Sequence, residues 1–65
     1  METITLSSGR AVPFIVTEND AYKFYLCETC AEASELNATL VGLGNPASVD
    51  FSQSLGWFVR VKKVS

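Results

Sequence analysis

The sequence predicts an α+β fold: a small, mostly antiparallel sheet of three to five strands with one helix packed on one face, in the order β-β-β-α-(β)-β. Three observations carry this. Tyr22-Lys23-Phe24-Tyr25-Leu26-Cys27 alternates large apolar and mixed positions over a strand's length. Thr29-x-x-Glu32 then has the form of a capping box, and Ala33, Leu36, Leu40 and Leu43 follow at helical spacing before Gly42 and Gly44 offer a left-handed stop. Trp57 to Val64 alternates again, with Trp57, Val59 and Val61 on one side and Phe58, Arg60, Lys62 and Val64 on the other.

The remaining elements fall between these. Thr3 to Leu6 alternates as a short strand, and Ser7-Ser8-Gly9-Arg10 is a hairpin turn in which Gly9 supplies the positive φ. Ala11 to Thr17 is a second strand with Val12, Phe14 and Val16 on one face and Ile15 on the other. Pro13 lacks an amide donor, which predicts an edge strand or a local irregularity there. Glu18-Asn19-Asp20 turns the chain into the Tyr22 strand. The capping box predicts that the Thr29 hydroxyl accepts the Glu32 amide and that the Glu32 carboxylate reaches back to the Thr29 amide. The helix is expected over roughly residues 30–41. Asn45-Pro46 is a link, Ala47 to Ser52 a short strand with Val49 and Phe51 inward, and Gln53-Ser54-Leu55-Gly56 a turn.

Sixty-five residues make one domain with little room for a deep pocket beside its core. Hydrophobic content of 48% with seven aromatics opposes disorder. Five basic residues are too few for a phosphate-binding surface, and seven acids are too few to mimic a nucleic-acid backbone, so no direct nucleic-acid contact is expected. No run of 18 apolar residues exists to span a membrane, and Met1-Glu2-Thr3-Ile4 is unlike a secretory signal, so the expected location is the cytoplasm.

Catalytic chemistry finds little support. Without histidine, neither a Ser-His nor a Cys-His pair can be built. Glu28, Glu32 and Glu35 follow the logic of a helix start and a solvated face, and Gly42-Leu43-Gly44 follows a helix where a phosphate loop would precede one. Cys27-x-x-Cys30 at a strand-to-helix junction is the placement of thioredoxin-like redox pairs. Glu28 and Glu32 oppose that reading by raising the thiol pKa, and two cysteines without histidine fall short of a closed zinc site. Ordinary small thiols are the simplest reading, with a thiol-redox or metal-binding mini-protein as an alternative; no cofactor, metal ligand or catalytic residue is expected, and the chain is read as not an enzyme.

The layout from Phe14 to Lys63 resembles the small host RNA polymerase inhibitors of podophages. That family runs strand, acidic turn, strand, a Glu-Thr-x-x-Glu-Ala-x-x-Leu helix and a closing strand with alternating basic residues. The matching residues here are Glu18 in the turn, Glu28, Thr29, Glu32, Ala33 and Leu36 at the helix, and Arg60 and Lys62 on the last strand. This chain adds an N-terminal hairpin strand, two cysteines and a longer link after the helix. The resemblance implies a non-enzymatic protein that docks on polymerase through the matching charges. With the chain's small size and lack of catalytic groups, the expected function is a phage-type inhibitor of a host complex, either RNA polymerase or a defence system such as a CRISPR effector. Tyr22 to Val61 is also similar to the sporulation-related repeat, which implies peptidoglycan binding, although that domain uses two such units.

The expected partner-binding residues are Phe58, Arg60 and Lys62 on the closing strand, with Tyr25 beside them on the face away from the helix and Glu18 in the acidic turn.

Overall fold

A computed structural model describes residues 1–63. Its elements are β1 (Glu2–Thr5), β2 (Ala11–Glu18), β3 (Tyr22–Cys27), α1 (Cys30–Gly42), β4 (Ala47–Ser52) and β5 (Gly56–Lys62). The five strands form one antiparallel sheet in the order β1-β2-β3-β5-β4. Because β3 and β4 both run antiparallel to β5, they are parallel to each other. The connection through α1 therefore crosses over the sheet, and β5 returns into the gap between them. Val64, expected in the closing strand, lies outside the described residues.

Local chemistry explains the element ends. The turn after β1 closes with Leu6 N–H donating to the Arg10 carbonyl at 2.8 Å and Gly9 at φ 90°. Asn19 makes the next turn, its side-chain oxygen accepting from the Ala21 and Tyr22 amides at 2.9 and 2.8 Å. At the helix start, Glu32 N–H donates to Thr29 Oγ1 at 3.1 Å as expected. The return bond differs: the Glu32 carboxylate accepts from the Glu28 amide at 3.2 Å, one residue ahead of the cap. The helix ends in a Schellman motif, in which Asn45 N–H donates to the Leu40 carbonyl and Gly44 N–H to that of Val41, both at 3.0 Å, with Gly44 at φ 88°.

One face of the sheet and one stripe of the helix make the core. Leu6, Phe14, Tyr25, Cys27 and Val59 pack against Ala33, Leu36 and Leu40, and Val12, Val16, Val49, Trp57 and Val61 surround them. Ala33, Leu36 and Val59 are completely buried. The β1–β2 hairpin is tied to the helix by the Ser8 hydroxyl donating to Glu35 and by Ser7 N–H donating to Thr39 Oγ1 at 2.9 Å.

Three packing expectations are corrected. Leu43 caps the helix instead of extending its stripe and is 72% exposed. Phe51 shares the helix face of the sheet but lies on edge strand β4, where its ring is tilted against Trp57 with centroids 5.1 Å apart and stays 53% exposed. Pro13 does not make β2 an edge strand and instead marks the local irregularity expected as the alternative: β2 pairs with β1 from Ala11 to Phe14 and with β3 from Ile15 to Glu18, so Pro13 lies in the half that β3 does not reach.

Leu36→Ala should cost about 2–5 kcal/mol, most of the stability of a domain this small, and Thr29→Ala about 1 kcal/mol through the lost cap; urea denaturation of the two variants checks both. Wild-type stability in Leu36→Ala would show that the stripe is not packed as described.

Candidate functional site

The strand registers divide the sheet into a covered and an uncovered face. Tyr22, Phe24 and Leu26 of β3 stand opposite Lys62, Arg60 and Phe58 of β5, and Ile15 and Thr17 of β2 stand opposite Leu26 and Phe24. Ser48 and Asp50 of β4 complete this face, opposite Arg60 and Phe58. None of these residues belongs to the helix-side core. This is the candidate site.

Its centre is an aromatic row. Phe24 meets Phe58 edge-on with ring centroids 5.6 Å apart, and Tyr22 lies 6.2 Å from Phe24. Phe58 is only 6% exposed, so it supports the surface from beneath. Ile15 is the outermost apolar group at 58% exposed, with Leu26 half-buried beside it.

Arg60 borders this row and is held on three sides. Its guanidinium lies 5.3 Å from the Tyr22 ring centroid, Nη1 is 3.7 Å from Asp50 Oδ2, and Nη2 donates to Ser48 Oγ at 3.5 Å. The planar cation thus ties β3 to β4 across the open face. Lys62 stands at the end of the same row and is exposed.

The expected site residues separate. Phe58, Arg60 and Lys62 do share the face away from the helix. Tyr25 does not: it stands opposite Val59 and is buried on the helix side, its ring meeting Phe14 edge-on at 6.5 Å. Only Lys23 breaks the apolar run from Tyr22 to Cys27, so hydrophobicity does not tell which alternate set faces inward. The tyrosine hydroxyl is satisfied at the rim of the core, donating to Glu2 Oε1 at 3.3 Å. Glu18 is also absent from the open face. It stands opposite Lys23 on the helix side and accepts from Lys63 Nζ at 3.1 Å. Ile15, Tyr22, Phe24, Leu26 and Asp50 were not among the expected site residues. Their signal in the sequence was the two-residue period running out from Phe58, visible only once the strands are in register.

Three charged or thiol groups are perturbed by their surroundings. The Lys23 ammonium donates to Glu2 Oε2 at 2.8 Å; this bond and the lysine charge hold the Glu2 carboxyl below its ordinary range, and the same bond, with the Tyr25 hydroxyl adding to it, raises the Lys23 pKa. Both side chains are partly solvated, so the pair is worth no more than about 1 kcal/mol. Burial, with the Glu32 charge adding to it, pushes the Cys27 thiol up to about 11. That is opposite to the shift an activated redox thiolate needs. Cys27 is buried and Cys30 exposed, and both are free thiols. Among the described residues, no group of three or more His, Cys, Asp or Glu side chains could hold a metal ion, and no helix is long and apolar enough to cross a membrane.

A disulfide reagent at pH 8 should therefore label Cys30 rapidly and Cys27 only slowly until the chain unfolds, because Cys27 is buried and its thiol pKa is pushed up; thiol titration with and without urea measures it. Equal rates in the native protein would contradict the burial of Cys27. Glu2→Gln should cost up to about 1 kcal/mol at pH 7. A depressed carboxyl pKa stabilises the fold above the unfolded value, and that contribution is lost as pH falls through the folded one. The difference between variant and wild type should therefore vanish in acid, as denaturation curves across pH 3–7 would record.

No family model, curated protein or solved structure matches this chain.

Proposed function

We propose that this chain is a small, non-enzymatic protein-binding module that docks on a partner through the open face of its sheet. The observation that carries the reading is the aromatic row of Tyr22, Phe24 and Phe58, flanked by Ile15, Leu26 and Arg60, on a face that the helix does not cover. Aromatic and arginine groups are the residue types that anchor protein interfaces, and a row already braced by Phe58 and Asp50 loses little side-chain entropy on binding. Phe24, Leu26 and Ile15 are the apolar contacts in this reading. Phe58 is the support under them, because it is buried. The layout shared with the podophage inhibitors extends the reading to a host complex as partner, RNA polymerase or a defence assembly, with the chain acting as its inhibitor inside the host cytoplasm.

The test is capture from a bacterial lysate on immobilised protein, followed by mass spectrometry, alongside sedimentation with purified cell-wall sacculi. Wild type should recover a defined protein complex and should not sediment with sacculi. Thr17→Arg and Lys62→Glu lie on the open face at exposed positions, so each should shift stability by no more than about 0.5 kcal/mol while abolishing capture. Capture undiminished in both variants would remove the open face as the site. Sedimentation with sacculi and no captured complex would favour the glycan-binding class instead.

A further inference from the structure

The cleft at the seam between β2 and β3 lies beyond the aromatic row. The β2–β3 ladder stops at Ile15 and Leu26, with Pro13 further along β2 having no N–H to offer, and β3 ends one residue later at Cys27. The strands part there and leave a cleft of about 410 Å³. Val12, Pro13 and Ile15 form one wall and Leu26 and Cys27 the other, while Glu28 and Glu32 stand at the helix end; Met1 also borders it. The Cys27 thiol is neutral at physiological pH, so the side chains of the two strand walls carry no charge.

Charge bookkeeping across the molecule singles out those carboxylates. Four of the seven acids, Glu2, Glu18, Glu35 and Asp50, form ion pairs with Lys23, Lys63, Arg10 and Arg60. Among the described residues, Asp20, Glu28 and Glu32 are the acids with no cation within 4.0 Å, and two of these three border the cleft. Glu32 is also held in place, since one of its oxygens accepts the Glu28 amide at 3.2 Å. Apolar walls that end in unpaired, positioned carboxylates complement a group with an apolar stem and a cationic head.

We propose that this cleft receives a lysine side chain of the partner protein, its alkyl stem beyond the Ile15–Leu26 pair, against Pro13 and Leu26, and its ammonium at Glu28 and Glu32. The proposal rests on the open-face reading only in taking the occupant to be a protein. Ile15 and Leu26 border both surfaces, so one bound segment can cross the aromatic row and place a side chain in the cleft.

The experiment titrates isotope-labelled protein with the peptide acetyl-Leu-Lys-Leu-amide and with its norleucine counterpart, which keeps the stem and lacks the charge. The lysine peptide should shift the amide signals of Val12, Ile15, Cys27 and Glu28. It should bind about threefold or more tightly than the norleucine peptide at low salt, a preference that added salt erodes. Glu28→Gln with Glu32→Gln should erase the preference while keeping the helix, because glutamine at 32 still accepts the Glu28 amide; far-UV circular dichroism verifies the fold. Ile15→Ser should weaken both peptides alike. Equal affinity for the two peptides, a preference that survives the double glutamine variant, or no shift at the cleft residues would each overturn the pocket. Because no partner is needed, these outcomes are independent of lysate capture: capture lost in Thr17→Arg with the peptide preference absent would leave the open face standing and the pocket refuted.

Discussion

One helix must serve a sheet with two faces, and the rest of the structure follows from that constraint. A 13-residue helix is about 20 Å long and about 10 Å wide, whereas five strands span about 19 Å from edge to edge. The helix lies over the β3-β5-β4 side of one face. Its buried stripe, Ala33, Leu36 and Leu40, meets Val59 on β5 and Tyr25 on β3, and these five residues belong to the helix-side core with Leu6 and Phe14, while Phe58 is as deeply covered on the other face. Phe51, near the far end of the outer strand β4, stays open to water on that same helix face.

The uncovered face is stabilised by its own side chains. Phe24 lies edge-on to Phe58, and Arg60 joins Tyr22 to Asp50, so the three adjacent strands β3, β5 and β4 are linked without a second layer. The aromatic row, half-buried at Tyr22 and Phe24 and buried at Phe58, is braced well enough to persist in water. Arg60 therefore has two demands on it, one from the fold and one from the proposed interface. Lys62, exposed and outside the ion pairs of the described residues, carries only the second.

The ion pairs repeat the same economy on the helix side. Glu2 with Lys23 and Glu18 with Lys63 join ends of strands, and Arg10 at 4.0 Å from Glu35 helps hold the first hairpin to the helix. Each is solvated and individually weak. Their larger effect is on what remains, because they occupy most of the cations and leave the acids at the helix start without a partner. Those acids border the cleft that the Pro13 half of β2 leaves beside β3.

Strand and helix limits were largely legible in the sequence, because alternation, the capping pair Thr29 and Glu32, and Gly9 and Gly44 are local signals whose physics acts over a few residues. The face carrying Phe58, Arg60 and Lys62 was legible for the same reason, since charges alternate with valines along that strand. Two things were not. The inward face of β3 was undetermined by a run in which every residue but Lys23 is apolar, and pairing with Val59 decided that Tyr25 goes inside and Phe24 outside. Strand order was undetermined as well, because nothing local to Gly56–Lys62 states that it inserts between β3 and β4. That insertion joins residues distant in sequence, is driven by burying Val59 beneath the helix, and builds both the aromatic row and its Arg60 brace, so the candidate site exists only in the tertiary structure.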